Sequence, residues 1–304
     1  MNQNENTSFN CKQLSRLFTI NETSVLESFK NNILAFIYNN DILLYNLLKK
    51  SVECTIKDGN SGGLISLSQL SNEKIMSSYN NNTIKIWSAN KCEHIIKDAH
   101  SEKIKQVIAL SENKMASFCV ENKIRNNIKI WNSEPPYNII KSITIQQYNR
   151  TIKRLYYIKN IILIDFCICI SEFNLQSCQC VTTYDISNVC NVIEFDDNHI
   201  MVMSKERAVK VNIKRKVIES YIELPFVCVS SMKLGNGAIL CAGNKRLAVI
   251  EKMKVVQIIQ CNNVDKLIPV DDSSFITSVN EFKAVDDSGE ISYQNVLIFV
   301  LWKY

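Results

Sequence analysis

NEKIMSSYNNNTIKIWSANKCEHIIKDAH, residues 72–100, and ENKMASFCVENKIRNNIKIWNSEPPYNII, residues 112–140, are one pattern written twice. Each copy leaves a polar turn for a short apolar strand, crosses a second polar turn and enters a strand that ends in tryptophan. Trp87 and Trp131 stand 44 residues apart. That spacing falls in the roughly 40 to 45 residue period of a four-stranded unit that stacks on its neighbours to bury its apolar faces.

Working outward, the same order of elements recurs and reads as a β-propeller. Residues 32–60 (NILAFIYNNDILLYNLLKKSVECTIKDGN) give strand b, an Asn-Asn-Asp turn, strand c, a Lys-Lys turn and strand d, without the tryptophan. The second blade spans 62–97 and the third 103–143, where Pro135 and Pro136 close strand c because proline cannot continue a ladder. Blade four begins at 151–158, but IILIDFCICISEFNLQSCQCVTTYD has no polar turn between its first two strands. Strands near 160–164, 166–172 and 178–185 are expected, or else one long strand and a missing fourth. Blades five (190–224) and six (226–260) are short strands separated by charged or Gly-containing turns, as a meander requires. Blade seven has strands at 264–270, 273–279 and 295–302, with an Asp-Ser-Gly turn at 287–289. It needs a fourth strand. Residues 13–20 (QLSRLFTI) alternate well enough to supply it, with a short helix as the rival reading. The expected fold is therefore all-β: a seven-bladed propeller of four-stranded antiparallel blades, closed by an N-terminal strand. Residues 1–12 are expected to be a disordered polar leader and 13–304 a single domain.

Composition narrows the function classes. Lys and Arg number 35 against 30 Asp and Glu, a net charge of +5 that is too mild for a nucleic-acid signature. Ile, Asn and Lys are over-used and share A/T-rich codons, so much of this bias reads as genomic drift and Asn tracts such as 80–82 are poor evidence of function. The N-terminus lacks the basic and apolar regions of a signal peptide, which suggests an intracellular protein, cytoplasmic or nuclear. The most apolar stretches, 161–170 and 296–302, fall short of the ~20 residues of a spanning helix, so no membrane span is expected. The twelve cysteines then read as reduced thiols packed like small hydrophobes.

With these residues in view, the chain resembles the WD40-repeat family of seven-bladed propellers, most closely over 62–143. Ser77, Asn81, Thr83 to Ile86 and Trp87 follow that family's S-x-x-x-D-x-T-I-K-I-W pattern, with Asn81 at the place of the usual Asp. Ala99-His100, Ser117 and Trp131 stand where the family has Gly-His, its strand-b Ser and its strand-c Trp. The resemblance implies that His100, Ser117, Trp131, Ser77, Asn81 and Trp87 are structural, joined in hydrogen-bonded chains that tie a loop to a blade. The departures mark a divergent member. No Trp-Asp dipeptide survives, glycines number only seven, and two motifs are missing: the Trp-Asp-X-Arg box that docks on a cullin-ligase adaptor and the Phe-Arg-Arg-Gly lipid motif. The resemblance implies a non-enzymatic scaffold that binds other proteins through its loops. The alternatives are a binder of an anionic ligand (phosphopeptide, RNA or phosphoinositide) or a ubiquitin-ligase substrate receptor.

No catalytic signature is present: there is no P-loop, GxSxG elbow or HExxH, and the three histidines, His94, His100 and His199, are scattered. No cofactor is expected. Cys167, Cys169, Cys178 and Cys180 form C-x-C-x8-C-x-C. If strands 166–172 and 178–185 pair, Cys169 faces Cys178 and Cys167 faces Cys180, a candidate zinc cluster. Flat strands wrap an ion poorly, so buried apolar thiols are the favoured reading. The b-to-c turns hold three basic pairs, Lys123 with Arg125, Lys205 with Arg207, and Lys245 with Arg246. They are the candidate contacts for an acidic or phosphorylated protein segment, weighed against simple solvation of turns. The long ENKIRNN turn favours this face.

Overall fold

The computed structural model describes residues 12–21, 26–38, 41–58, 63–111, 113–121, 125–145, 151–177, 179–243, 245–271, 274–286 and 291–303. Among these, the regular elements are 28 strands in seven four-stranded antiparallel sheets, the blades of a β-propeller. The chain divides into two compact units, one of residues 23–189 and one of residues 1–22 with 190–304.

The first strand, β1 (Lys12–Asn21), belongs to the second of these units. The unit of residues 23–189 then holds four blades in strict chain order. Blade one is β2 (Leu26–Phe29), β3 (Ile33–Tyr38), β4 (Asp41–Asn46) and β5 (Ser51–Ile56). Blade two is β6 (Leu64–Gln69), β7 (Ile75–Tyr79), β8 (Ile84–Ser88) and β9 (Lys91–Ile96). Blade three is β10 (Ile104–Ala109), β11 (Lys114–Glu121), β12 (Arg125–Asn132) and β13 (Ile139–Ile145). Blade four is β14 (Arg154–Ile158), β15 (Ile161–Asp165), β16 (Ile170–Asn174) and β17 (Gln179–Tyr184). Inner strands are buried on both faces, as β7 is throughout, whereas outer strands such as β9 alternate in burial along their length. That gradient is why b and c strands read as apolar runs and d strands as apolar-polar alternation.

The other unit holds three blades. Blade five is β18 (Val189–Asp196), β19 (His199–Ser204), β20 (Arg207–Asn212) and β21 (Val217–Glu223). Blade six is β22 (Ser230–Lys233), β23 (Ile239–Gly243), β24 (Arg246–Glu251) and β25 (Lys254–Gln260). Blade seven has β26 (Lys266–Asp271), β27 (Ser274–Asp286) and β28 (Ile291–Lys303), and its fourth strand is β1, antiparallel to β28 from Lys12↔Lys303 to Asn21↔Val296. Residues 13–20 are therefore strand and not helix. Lys12, expected in the disordered leader, already begins that strand, and residues 1–11 lie outside the described residues.

Two expectations are corrected. In blade four, strand c starts at Ile170 and not at 166. A tight turn precedes it: Phe166 N donates to Cys169 O (3.0 Å), the Asp165 carboxylate accepts from Cys167 N (2.8 Å), and Cys167 sits at φ 70°. The turn is made by a buried Asp and a left-handed Cys, which is why no run of polar residues announces it. In blade three, the extra residues of ENKIRNN do not make a long loop. β11 and β12 run eight residues each and pair as far as Glu121↔Arg125, so the insertion lengthens the hairpin.

Neighbouring inner strands are stitched by polar side chains. Gln106 both donates to Leu155 O (3.2 Å) and accepts from Leu155 N (2.8 Å), and Ser66 and Ser68 accept from Val107 N and Ala109 N (3.3 and 3.1 Å). In the other unit, Asn191 donates to Ser231 O (2.8 Å) and Ser230 Oγ accepts from Leu267 N (2.9 Å). These bonds satisfy backbone groups that have no ladder partner at the centre of the fan.

Several asparagines carry structural work. At the end of strand c, Asn46 accepts from Leu48 N and Lys49 N, Asn174 from Gln176 N and Ser177 N, and Asn212 from Lys214 N and Arg215 N. Asn46 and Asn212 each also brace a Glu seven residues on, Glu53 (2.9 Å) and Glu219 (2.8 Å). Asparagine also stands in for missing glycine at positive φ, as at Asn31, Asn32, Asn82, Asn113, Asn160 and Asn188.

Candidate functional site

Within each unit, the d-to-a linkers are hydrogen-bonded to the b-to-c turns, so the two kinds of loop share one face. In residues 23–189, Ala99 N donates to Asn82 O (2.9 Å) and Asn188 N to Cys167 O (2.6 Å). In the other unit, Leu224 N donates to Glu206 O (2.7 Å), Cys228 N to Lys205 O (2.7 Å) and Cys261 N to Lys245 O (2.8 Å).

Beneath this face lie the tryptophan networks. Trp131 Nε1 donates to Ser117 Oγ (2.8 Å), and the same hydroxyl lies 2.7 Å from His100 Nε2. Trp87 Nε1 donates to Ser77 Oγ (2.7 Å), whose own proton goes to the Tyr79 hydroxyl (2.9 Å) in the part that His100 plays in blade three. A third copy, Trp302 donating to Thr277 Oγ1 (2.9 Å), joins β28 to β27. Each tryptophan shares a buried apolar cluster with residues of the preceding blade, Trp87 with Ile42 and Ile56, Trp131 with Met76 and Ile86, Trp302 with Leu240 and Val249. Asn81 takes no central part. It is exposed at the turn, and its neighbour Asn82 makes the tie to Ala99. The buried acid of blade two is instead Asp58, which pairs with Lys85 at 2.5 Å beside the Tyr79 and Trp87 rings. The repeated IKDG and IKDA at 56–59 and 96–99 is the signal that could have found it.

Burial, then the positive charge of Lys129, pushes the His100 imidazole down to about 3. A base whose folded pKa lies below its unfolded value near 6.5 stabilises the fold above that value. The contribution is lost as pH falls from about 6.5 toward 3. At ~1.4 kcal/mol per pH unit, the loss over the two units down to pH 4.5 is about 3 kcal/mol. Urea unfolding of wild type and His100→Gln at pH 7 and 4.5 checks this, and the variant is expected to be the less acid-sensitive of the two.

The other histidines are also held in place. His94 stacks on Tyr137 (4.5 Å) beside Lys74, which bridges Glu93 (2.9 Å) and Glu134 (3.3 Å) and so clamps blade two to blade three. His199 lies between Asp196 (2.6 Å) and Glu219 (2.9 Å). The Asn212 amide, then His199, brings the Glu219 carboxyl down to about 2.

The cysteine cluster is not assembled as expected. Cys180 on β17 faces Phe173, Cys167 is exposed in the turn, Cys169 is buried beside it, and Cys178 lies outside the described residues. Among the described residues, no three His, Cys, Asp or Glu side chains are placed to hold a metal.

The basic residues separate by their surroundings. Lys123 lies outside the described residues, and Arg125 is the first residue of β12. Arg207 is committed, with Nε donating to Glu223 (2.9 Å) and the guanidinium over Tyr221 (5.0 Å). Lys205, Lys245 and Arg246 are exposed and have no ion pair among the described residues. The linker 224–229 brings their two turns together. Cys228 N binds the first turn, Val229 N donates to Ala242 O (2.8 Å) beside the second, and Gly243 lets Val227 O approach so closely that a Cβ there would stand 1.9 Å from it. The same linker exposes Val227 and Val229, at 42% and 45%.

No family model and no curated protein matches the chain. Solved structures do. The chain is similar to the WD40 beta-propeller domain of Doa1, at 13% identity and a TM-score of 0.66, over 96% of this chain and 97% of that one. It is also similar to the beta-propeller domain of Cps50 (Swd1) from Myceliophteria thermophila, at 8% identity and a TM-score of 0.69, over 97% and 100%. The likeness is one of fold: the chain has a β-propeller architecture. No helix among the described residues is long and apolar enough to cross a membrane.

Proposed function

We propose that the protein is a non-enzymatic interaction scaffold that holds an acidic or phosphorylated protein segment on the face formed by the b-to-c turns and d-to-a linkers of blades five and six. The observation that carries this reading is the pairing of uncommitted cations, Lys205, Lys245 and Arg246, with exposed Val227 and Val229 on a linker fixed by backbone bonds to both turns. A rigid apolar strip gives contact area at little ordering cost, and flanking cations select and steer an anionic partner. The fold supports a scaffold, since propeller loops vary without disturbing the blades beneath them.

The experiment is binding to an array of acidic peptides with and without phosphoserine, followed by kinetics on the best binder. Lys205→Glu with Arg246→Glu is expected to slow association about tenfold at low salt while leaving the melting temperature unchanged. Arg207→Gln, which removes a guanidinium whose charge Glu223 already offsets, is expected to slow association far less than the double variant. Equal binding by wild type and the double variant would remove this face from consideration. Binding of single-stranded RNA in preference to any peptide, with a steep salt dependence, would favour the nucleic-acid alternative instead.

A further inference from the structure

The linker that carries Val227 and Val229 also carries Cys228, whose thiol is buried and lies 3.6 Å, sulfur to sulfur, from Cys190 at the start of β18. Cys190 is half-buried, and its Sγ also approaches Met203 O at 3.2 Å. A third thiol, Cys241 on β23, is fully buried in the same apolar cluster. The two partners differ in what holds them. Cys190 belongs to a strand, whereas Cys228 lies between β21 and β22, outside any strand.

We propose that Cys190 and Cys228 form an oxidation site, in which hydrogen peroxide converts the two thiols into a reversible disulfide. Cys190, the more accessible sulfur, loses its proton and attacks one peroxide oxygen. The S–O bond forms, the O–O bond breaks and water leaves, giving a sulfenic acid. The Cys228 sulfur then attacks the Cys190 sulfur, the S–S bond forms, the S–O bond breaks, and the Cys228 proton departs with the oxygen as a second water. Two thiols are oxidised by two electrons and one peroxide is reduced to two waters. The sulfurs must come about 1.5 Å closer to reach the ~2.05 Å of a disulfide. That approach is a rotation of the two side chains, since the linker backbone is held by Cys228 N to Lys205 O and by Val229 N to Ala242 O. Order of attack follows from the surroundings: although contact with Cys190 lowers it, the Cys228 thiol is held well above its ordinary value by Cys241 and by burial, so Cys228 resolves and does not initiate.

The site does not depend on the proposed binding face, and its test needs no partner. The reduced full-length chain is treated with hydrogen peroxide, alkylated, digested with trypsin without reduction and mapped by mass spectrometry. Trypsin cuts between the two cysteines, for instance at Lys205 and Lys210, so a bridge appears as a linked peptide pair. Two of the twelve cysteines are expected to become protected, in a Cys190–Cys228 pair that dithiothreitol releases. Cys190→Ser is expected to abolish the linked pair and Cys241→Ser to preserve it. Peroxide that carries Cys190 on to sulfinic acid with Cys228 still alkylatable, or that links Cys228 to Cys241, overturns the assignment. So does a treated chain with all twelve thiols free. Because the decisive measurement is on wild type, a variant that fails to fold does not shelter the proposal.

Discussion

Trp131→Ala is expected to destabilise the fold by about 3–5 kcal/mol, the range for truncating a buried tryptophan. The side chain is 3% exposed and belongs to the apolar cluster shared by blades two and three, with Leu70, Met76, Ile84 and Ile86. Its loss opens a cavity walled by strands that are themselves paired on both sides, so collapse into the void is limited. It also removes the donor to Ser117 and the edge-on contact with the His100 ring, at 6.5 Å. Urea unfolding measures the change, and a value below about 1 kcal/mol would mean that the side chain does not anchor the blade. Trp131→Phe separates the two contributions. It keeps most of the apolar volume and loses the indole N–H, so its deficit reports mainly on the hydrogen-bonded network.

Removal of residues 1–21 is expected to cost more than any single side chain. β1 is the fourth strand of blade seven, and it pairs along β28 from Lys303 to Val296. Without it, VLIFVLW at 296–302 becomes an unpaired edge of high β-propensity and no charge, the kind of segment that recruits other chains. The truncated protein is expected to be largely insoluble, with any soluble fraction melting well below the full-length chain. A synthetic peptide of residues 10–22 added during refolding should restore solubility by re-forming the sheet. If the truncation melts like the full-length protein, the pairing of β1 with β28 does not hold the blade together.

Much of the fold was open to reading along the chain, because a blade is a local object. Its strands follow one another, their alternation records which face is buried, and the tryptophan period marks the blade. The blade count leaves blade seven one strand short, which places β1 with β28, whereas the link of Ser117 to Trp131 is what the resemblance to the WD40-repeat family implies. It stops where a residue's role is set by a partner from another element. Strand c of blade four was expected four residues too early because the turn before it is made by one buried carboxylate, Asp165, and a left-handed Cys167, neither of which looks like turn chemistry in an apolar run. The role of Asn46 has no signal along the chain because its capping and bracing are visible only with Leu48, Lys49 and Glu53 in place around it. The candidate contacts divided for the same reason. Lys205, Arg207, Lys245 and Arg246 are alike as letters, but Glu223 and Tyr221 on the adjacent strand occupy Arg207, while the others belong to the two turns to which the linker of Val227 and Val229 is pinned. Periodicity is written into the chain because each strand buries one face at fixed spacing. The freedom of a charge, a thiol or an amide is decided only by tertiary structure, because it depends on which group folding brings within about 3 to 4 Å.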